Sequence, residues 1–352
     1  MFDFSSFLSN KAFITEDHHV YTYADLLGLS ERFSEHLVPR SLIFIGCENS
    51  LESIVAYVSC LRSGVVPLLL SRDVPDETLY HLEAIYHPRY CWFPSRRDLL
   101  VKGKEKYSLG GYSLIQYDGD SPVLPEGLAL LLTTSGSTGS PKLVRLSHDN
   151  LKSNACSIIE YLKITSSEKA ITSLPMYYSY GLSVLNSHLL AGATLLLTDK
   201  SYVQREFWKF VLEEKATSFA GVPFTYEILK KMRFEKFLPS SVKVMTQAGG
   251  KLNSSLIKYF SEYARLHDIR FYVMYGQTEA TARMSYLPAE YTLNKVGSVG
   301  VAIPGGHFSL IDEDGMRIVS PNVEGELVYE GSNVFWGYAE SLDDLFKGDE
   351  NK

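Results

Sequence analysis

The sequence predicts an α/β protein: layered, mostly parallel sheets flanked by helices, with a small antiparallel β-barrel-like unit near the C-terminus. Three observations carry this reading. Up to about residue 290, short apolar runs alternate with amphipathic stretches. The runs are continuously apolar, which is the pattern of strands covered on both faces. After Val296 the helical periodicity stops, and Gly297, Gly300, Gly305, Gly306, Gly315, Gly325 and Gly331 punctuate short strand-like runs.

In chain order, the expected strands are 42–45, 65–70, 128–132, 193–197, 242–245 and 271–274. The expected helices between them include 51–62, 150–162, 204–214 and 254–267. Strand and helix in alternation bury their apolar sides most simply as helices on the faces of a parallel sheet. Near the C-terminus, Asp312, Glu313, Asp314 and Gly315 form an expected hairpin turn between 307–311 and 316–319, with the glycine supplying a positive φ. Subdomain boundaries are expected at 1–170, 171–295 and 296–352, without a low-complexity linker or an internal repeat.

The 352 residues suffice for two to three units of roughly 150 each. A chain that is 45% hydrophobic and 12% aromatic can bury a core, which excludes disorder as its overall state. The net charge is -7 with both signs interspersed. A general nucleic-acid binder needs a basic footprint, so that class is excluded. Cys47, Cys60, Cys91 and Cys156 form no C-x-x-C pair and are expected as buried free thiols in a reducing compartment. Asp3 stands where a signal peptide carries a basic residue, and no apolar run approaches the roughly 18 residues of a membrane span. A cytoplasmic location is therefore expected.

The strongest chemical signal is the string LLLTTSGSTGSPK at 130–142. An apolar strand enters a loop of hydroxylated residues and glycines that ends in one lysine. Glycines let main-chain N–H groups turn toward an anion, hydroxyls add donors, and Lys142 adds positive charge. The loop is suited to phosphates. It is not a Walker A loop, because Pro141 precedes the lysine and Leu143 follows it. Nor is it a nucleophile elbow, because Ser135 stands where the first glycine around Ser137 is required.

The segment T-S-G-S-T-G-x-P-K resembles the phosphate loop of the adenylate-forming superfamily, which includes acyl-CoA synthetases, peptide-synthetase adenylation domains and luciferases. Further matches follow in that family's order. The segment 174–182, LPMYYSYGL, is similar to the lead into the helix lining the acyl pocket. Gln247 to Leu252, QAGGKL, resembles the adenine turn, and Tyr275-Gly276-Gln277-Thr278-Glu279 matches Y-G-x-T-E. Gly325-Glu326-Leu327 through Gly337-Tyr338 resembles the G-E-L…G-Y stretch. The resemblance covers nearly the whole chain.

That resemblance assigns phosphate contacts to Thr134, Ser135, Gly136, Ser137, Thr138, Gly139 and Lys142. It assigns the adenine site to Ala248, Gly249, Gly250, Tyr275 and Gly276, and the acyl pocket to Tyr178, Ser179, Gly181 and Val222. Thr278 and Glu279 take the catalytic places, with Glu279 as the metal ligand. The residue types suit these roles. Tyr275 offers a flat face for a purine, and the double glycine lets main chain approach its edge. Glu279 supplies the kind of hard oxygen that Mg²⁺ takes alongside phosphates and water. Taken singly, Tyr275 reads equally as a core aromatic and Glu279 as a solvated acid; together and in order they form a coherent set.

Two departures stand out. Leu143 follows Lys142 where many relatives have glycine. After Tyr338 the family pattern runs to a T-G-D motif, a hinge and a small domain with a catalytic lysine. Here Lys347 stands where that threonine belongs, and Asp349 comes too soon after Tyr338. The resemblance thus implies a large N-terminal domain without its small C-terminal cap, nearly inactive by itself.

Relatives that activate α-amino acids carry an aspartate early in the pocket segment. Residues 174–190 contain no acid, and Ser179 falls near that place. A buried ammonium without a counter-charge is expensive, so an amino acid is disfavoured. Tyr177, Tyr178, Tyr180, Val222, Pro223 and Phe224 suggest a largely apolar pocket for a fatty or aryl carboxylate. The implied activity is ATP- and Mg²⁺-dependent formation of an acyl-adenylate, then transfer to coenzyme A or to the phosphopantetheine of a carrier protein. The alternative is a nucleotide-binding module without turnover.

Overall fold

The computed structural model describes residues 2–95, 103–134 and 142–351. The chain opens with β1 (Lys11–Ile14), β2 (Val20–Thr22) and α1 (Tyr23–Ser34). Then come β3 (Leu42–Cys47), α2 (Leu51–Ser63), β4 (Val66–Ser71), α3 (Asp76–Tyr86), β5 (Tyr90–Pro94), β6 (Gly103–Leu109) and β7 (Tyr112–Tyr117). β8 (Leu128–Thr133), β9 (Leu143–Ser147) and α4 (His148–Leu162) follow. The next stretch holds β10 (Lys169–Ile171), α5 (Ser179–Leu190), β11 (Thr194–Leu196), α6 (Arg205–Glu213), β12 (Ser218–Gly221) and α7 (Pro223–Lys231). β13 (Val244–Gln247), α8 (Ser254–Leu266), β14 (Arg270–Tyr275) and β15 (Ser285–Leu287) complete it. Last are β16 (Val301–Ala302), β17 (Gly306–Ile311), β18 (Arg317–Ile318), β19 (Glu326–Gly331) and β20 (Tyr338–Ala339).

The local signals work as their chemistry dictates. Ser147 caps α4 in a reciprocal box with Asn150, and Ser50 caps α2, each accepting from a first-turn N–H. Gly64 ends α2 in the left-handed conformation that only glycine adopts without strain. The hairpin turn falls where expected: Asp312 Oδ1 accepts from the N–H groups of Asp314 and Met316, and Gly315 has φ +77°.

Two large sheets form the body. One is ordered β20-β9-β8-β4-β3-β5-β7-β6, the other β16-β15-β14-β13-β12-β10-β11-β1-β2. β3 and β4 lie parallel near the middle of the first sheet and are buried almost throughout, which explains their unbroken apolar composition. One core cluster joins residues of α1, α2, α4 and α5 to both sheets, so these helices fill the space between them. The outer face of the second sheet is covered by α6, α7 and α8, and α3 covers the outer face of the first. The layers therefore run helix, sheet, helix, sheet, helix. A small antiparallel sheet, β18-β17-β19, stands apart. Of the other tail strands, β16 extends the second large sheet and β20 the first.

Three cysteines are buried thiols as expected, but Cys156 is exposed, because its position on α4 falls outside the stripe that packs inward. Among the described residues, no helix is long and apolar enough to cross a membrane.

The two sheets also meet through polar groups. The Asn49 N–H donates to Asp199 Oδ1 at 3.1 Å, and neighbouring Glu48 accepts from Tyr112 Oη at 2.8 Å. Burial, followed by the Asp199 carboxylate, pushes the Glu48 pKa up from its ordinary 4.5 to about 7, against the opposing pull of its ion pair with Arg72 and its bond from Tyr112. A raised carboxyl pKa favours the protonated folded state, so this contribution is complete below about pH 4.5 and is lost as pH rises through about 7. Glu48→Gln is expected to flatten that fall. Melting temperatures across this pH window check it, and a parallel offset with unchanged slope would show another group to be responsible.

Candidate active site

The expected site residues collect at the carboxyl ends of the parallel strands, where α/β folds open their binding crevices. Thr134 follows β8, Val222 follows β12, Ala248 to Gly250 follow β13, and Tyr275 ends β14. Tyr178 and Ser179 begin α5 beside them. Ser135, Gly136, Ser137, Thr138 and Gly139 lie outside the described residues, while the flanking Thr134 and Lys142 lie within them.

A cleft of about 430 Å³ opens between the β13 turn and β14, lined by Gly249, Gly250, Lys251, Tyr275, Gly276 and Val299 among others. Tyr275 is 38% exposed, which leaves ring surface free for a flat ligand. Gly249 has φ +78° and Gly250 φ +152°, so both need glycine. Buried Gln247 braces the turn by donating to the Gly250 carbonyl at 2.9 Å. Ala248 is buried beneath it. At Gly276, a Cβ would lie 1.9 Å from the Ala282 carbonyl oxygen, so main chain crosses main chain there.

The acyl-pocket residues adjoin this cleft. A Cβ on Gly249 would fall 2.4 Å from Tyr178 Oη and 3.2 Å from Val222 Cγ1. Ser179 Oγ and Thr278 Oγ1 are 3.2 Å apart, which joins the start of α5 to the Y-G-x-T-E segment. Gly181 serves packing, because a Cβ there would meet the Pro175 carbonyl at 2.2 Å. Tyr180 is buried as a fixed wall, sharing a 2.8 Å hydrogen bond with Thr246. Phe224, expected in the pocket, is 61% exposed on the first turn of α7.

Glu279 and Lys142 meet through the strand that follows them in space. Tyr338 Oη donates to Glu279 Oε1 at 2.7 Å, and Lys142 Nζ lies 2.7 Å from Glu340 Oε1. Burial, then Glu279, pushes the Tyr338 hydroxyl up to about 12, so it remains a donor. Among the described residues Glu279 Oε2 has no protein partner. No group of three or more His, Cys, Asp or Glu among them could hold a metal. A lone carboxylate oxygen suits Mg²⁺ shared with phosphates rather than an all-protein cage.

Sequence reasoning overlooked two cations. Arg283 is buried, donates to Ser183 Oγ at 3.1 Å and Tyr161 Oη at 2.8 Å, and lies 5.2 Å over the Tyr180 ring. It has no carboxylate partner among the described residues. Its neighbour His188 is pulled down to about 4 by burial and stays neutral. Arg145 on β9 is also buried. Neither was legible, since an isolated arginine in a sequence reads as solvated. For Tyr338 a signal existed in the G-Y pair, without an indication of its partner.

Comparison with known proteins places the chain in a family. A family model described as "AMP-binding enzyme" matches residues 6–339. The chain is 31% identical over 352 residues to a 2-succinylbenzoate–CoA ligase of Bacillus cereus, covering 95% of this chain and 70% of that one. It is 30% identical over 226 residues to a feruloyl-CoA synthase of an Amycolatopsis species, covering 63% of this chain and 45% of that one. The fold matches o-succinylbenzoate coenzyme A synthetase from Bacillus subtilis, solved in complex with ATP and magnesium ion, with a TM-score of 0.73 and 24% identity. That match covers 94% of this chain and 69% of that one. The chain belongs to the AMP-binding enzyme family, and its relatives here are acid–CoA ligases and synthases.

Proposed function

We propose that this chain activates a carboxylic acid with ATP, forming an acyl-adenylate and pyrophosphate, as the first half of an acid–thiol ligase reaction. One observation carries the reading. Ser179, proposed for the mouth of the acyl pocket, and Thr278, proposed for the α-phosphate, have their hydroxyls 3.2 Å apart, which supports the two sites being neighbours. A carboxylate oxygen held there attacks the α-phosphorus as the bond to the β-phosphate oxygen breaks. The adenylate then passes its acyl group to a thiol, with AMP leaving. Coenzyme A is the acceptor favoured by the relatives' names; a carrier-protein phosphopantetheine is the other.

Tyr275 and the Gly249–Gly250 turn receive adenine in this reading. Lys142, Thr134 and the hydroxyls and N–H groups of 135–139 hold phosphates, and Thr278 donates to the α-phosphate. Glu279 holds Mg²⁺, whose charge when bound offsets that of the phosphates. Arg283 adds positive charge behind Tyr180, which disfavours an ammonium-bearing acid and favours a fatty or aryl carboxylate. Cytoplasmic placement is proposed from the free thiols, and 1–170, 171–295 and 296–352 are proposed as subdomains.

The test is carboxylate-dependent exchange of labelled pyrophosphate into ATP by the native protein and its Lys142→Ala variant. Losing a charge-assisted contact worth about 1.5–3 kcal/mol is expected to lower exchange roughly ten- to a hundredfold with the fold intact. Nucleotide binding without any exchange by the full-length native protein would instead establish the non-catalytic module.

A further inference from the structure

The short strand β20 reaches both charged groups of the proposed triphosphate site. Tyr338 pairs with Val144 and Ala339 with Leu143, so β20 runs beside the chain as it leaves Lys142. From this strand, Tyr338 Oη donates to Glu279 Oε1 at 2.7 Å, and the Glu340 carboxylate lies 2.7 Å from the Lys142 ammonium. Lys142 Nζ also sits 5.6 Å over the Tyr338 ring. Glu279 is gripped a second time through its main chain, because the Phe335 N–H donates to its carbonyl at 2.8 Å. Phe335 in turn packs edge-on against Tyr338 at 4.9 Å. The two site groups are 137 residues apart in sequence, yet both are held by three residues of one strand and its continuation.

The two halves of this arrangement differ in strength. Lys142 and Glu340 have side chains 52% and 58% exposed, so their ion pair is weak. An incoming triphosphate carries more negative charge than one carboxylate and can replace Glu340 at little cost. Tyr338 is anchored by strand pairing and ring packing, and its bond to an anionic oxygen is of the stronger, charge-assisted kind. With Oε1 fixed, Oε2 of Glu279 is presented for another ligand.

Resting on the proposed nucleotide site, we infer that Glu340 is an internal counter-ion that ATP displaces from Lys142, and that Tyr338 is the positioning residue that orients Glu279 toward the metal. Glu340 thereby keeps Lys142 near its working place before nucleotide arrives, at the expense of competing with the phosphates. Tyr338 does not leave; it keeps one carboxylate oxygen occupied so that the metal meets the other.

The experiment is calorimetric titration of the chain with ATP over a Mg²⁺ series, and with AMP in chelator, for wild type, Glu340→Gln and Tyr338→Phe. Glu340→Gln is expected to bind ATP about two- to fivefold more tightly, with AMP nearly unchanged because its single phosphate does not reach for the lysine's place. Tyr338→Phe is expected to need about three- to tenfold more Mg²⁺ for half-maximal ATP binding, with AMP affinity nearly unchanged. Equal or weaker ATP binding by Glu340→Gln overturns the counter-ion role. Equal losses for AMP and ATP in Tyr338→Phe overturn the positioning role, since a merely structural strand would weaken both. Wild type that binds neither nucleotide overturns the nucleotide-site reading itself. Wild type that binds ATP while both variants behave like it overturns this inference alone.

Discussion

Replacing Arg145 by alanine is expected to destabilise the protein by about 3 kcal/mol, near the low end of what breaking a buried ion pair costs. Arg145 stands on β9 with its side chain fully buried, while its partner Glu350 is 44% exposed, which is why the low end applies. One guanidinium ties together three separate parts of the C-terminal segment. Nη2 donates to Glu350 Oε2 at 2.6 Å and to the Trp336 carbonyl at 3.0 Å, and Nη1 donates to the carbonyls of Lys347 and Gly348. Alanine removes the donor to the Lys347 and Gly348 carbonyls and to the Glu350 carboxylate, while the Trp336 carbonyl keeps only the Glu350 N–H. Lysine does not rescue, because a point ammonium cannot fork to groups on two sides. Denaturant unfolding is the measurement: the midpoint should fall with an unchanged slope. A loss below about 0.5 kcal/mol, the range of an ordinary surface substitution, would show that the segment is held by other contacts. Because β20 lies within this segment, the variant should also weaken Mg²⁺-dependent ATP binding.

Gly276→Ala is expected to lower pyrophosphate exchange by roughly a hundredfold, the cost of a misplacement of about 1 Å at a reacting centre. The new Cβ would sit 1.9 Å from the Ala282 oxygen and 2.8 Å from Arg283 Cα. Both neighbours are main chain, so no side chain can rotate away. The turn must open, and it carries Tyr275 on one side and Thr278 and Glu279 on the other. Gly28→Ala is the matched control, since a Cβ there meets nothing within 4 Å and the position lies inside α1. That change should raise stability slightly and leave exchange alone. Exchange by Gly276→Ala within about threefold of wild type would remove this turn from the site.

The legible part of the site was the part written in local strings. Thr134, the double glycine and Tyr275 of Y-G-x-T-E each lie at the end of a strand, and strand ends can be read from where an apolar run stops. The contacts that give those residues their geometry were not legible. Tyr338 and Glu279 are 59 residues apart and meet only because β20 returns to pair with β9.

By itself, the sequence determined the types of the longer apolar strands and amphipathic helices, the 312–315 turn and the layered α/β class, because these depend on neighbours a few residues away. Periodicity reports which side of an element is apolar, and that suffices to separate buried strands from amphipathic helices. Tertiary structure alone decided which strands share a sheet. β1 and β2, from the start of the chain, pair onto β11 through Phe13 and Leu195, and β20 closes the edge of the first sheet. Pairing across such distances is selected by the fit of whole faces, which no local pattern encodes. It also decided the fate of the charges. Arg145 and Arg283 are buried because distant carbonyls, hydroxyls and rings surround them, and a charged side chain has no local signature of burial until those partners are in place.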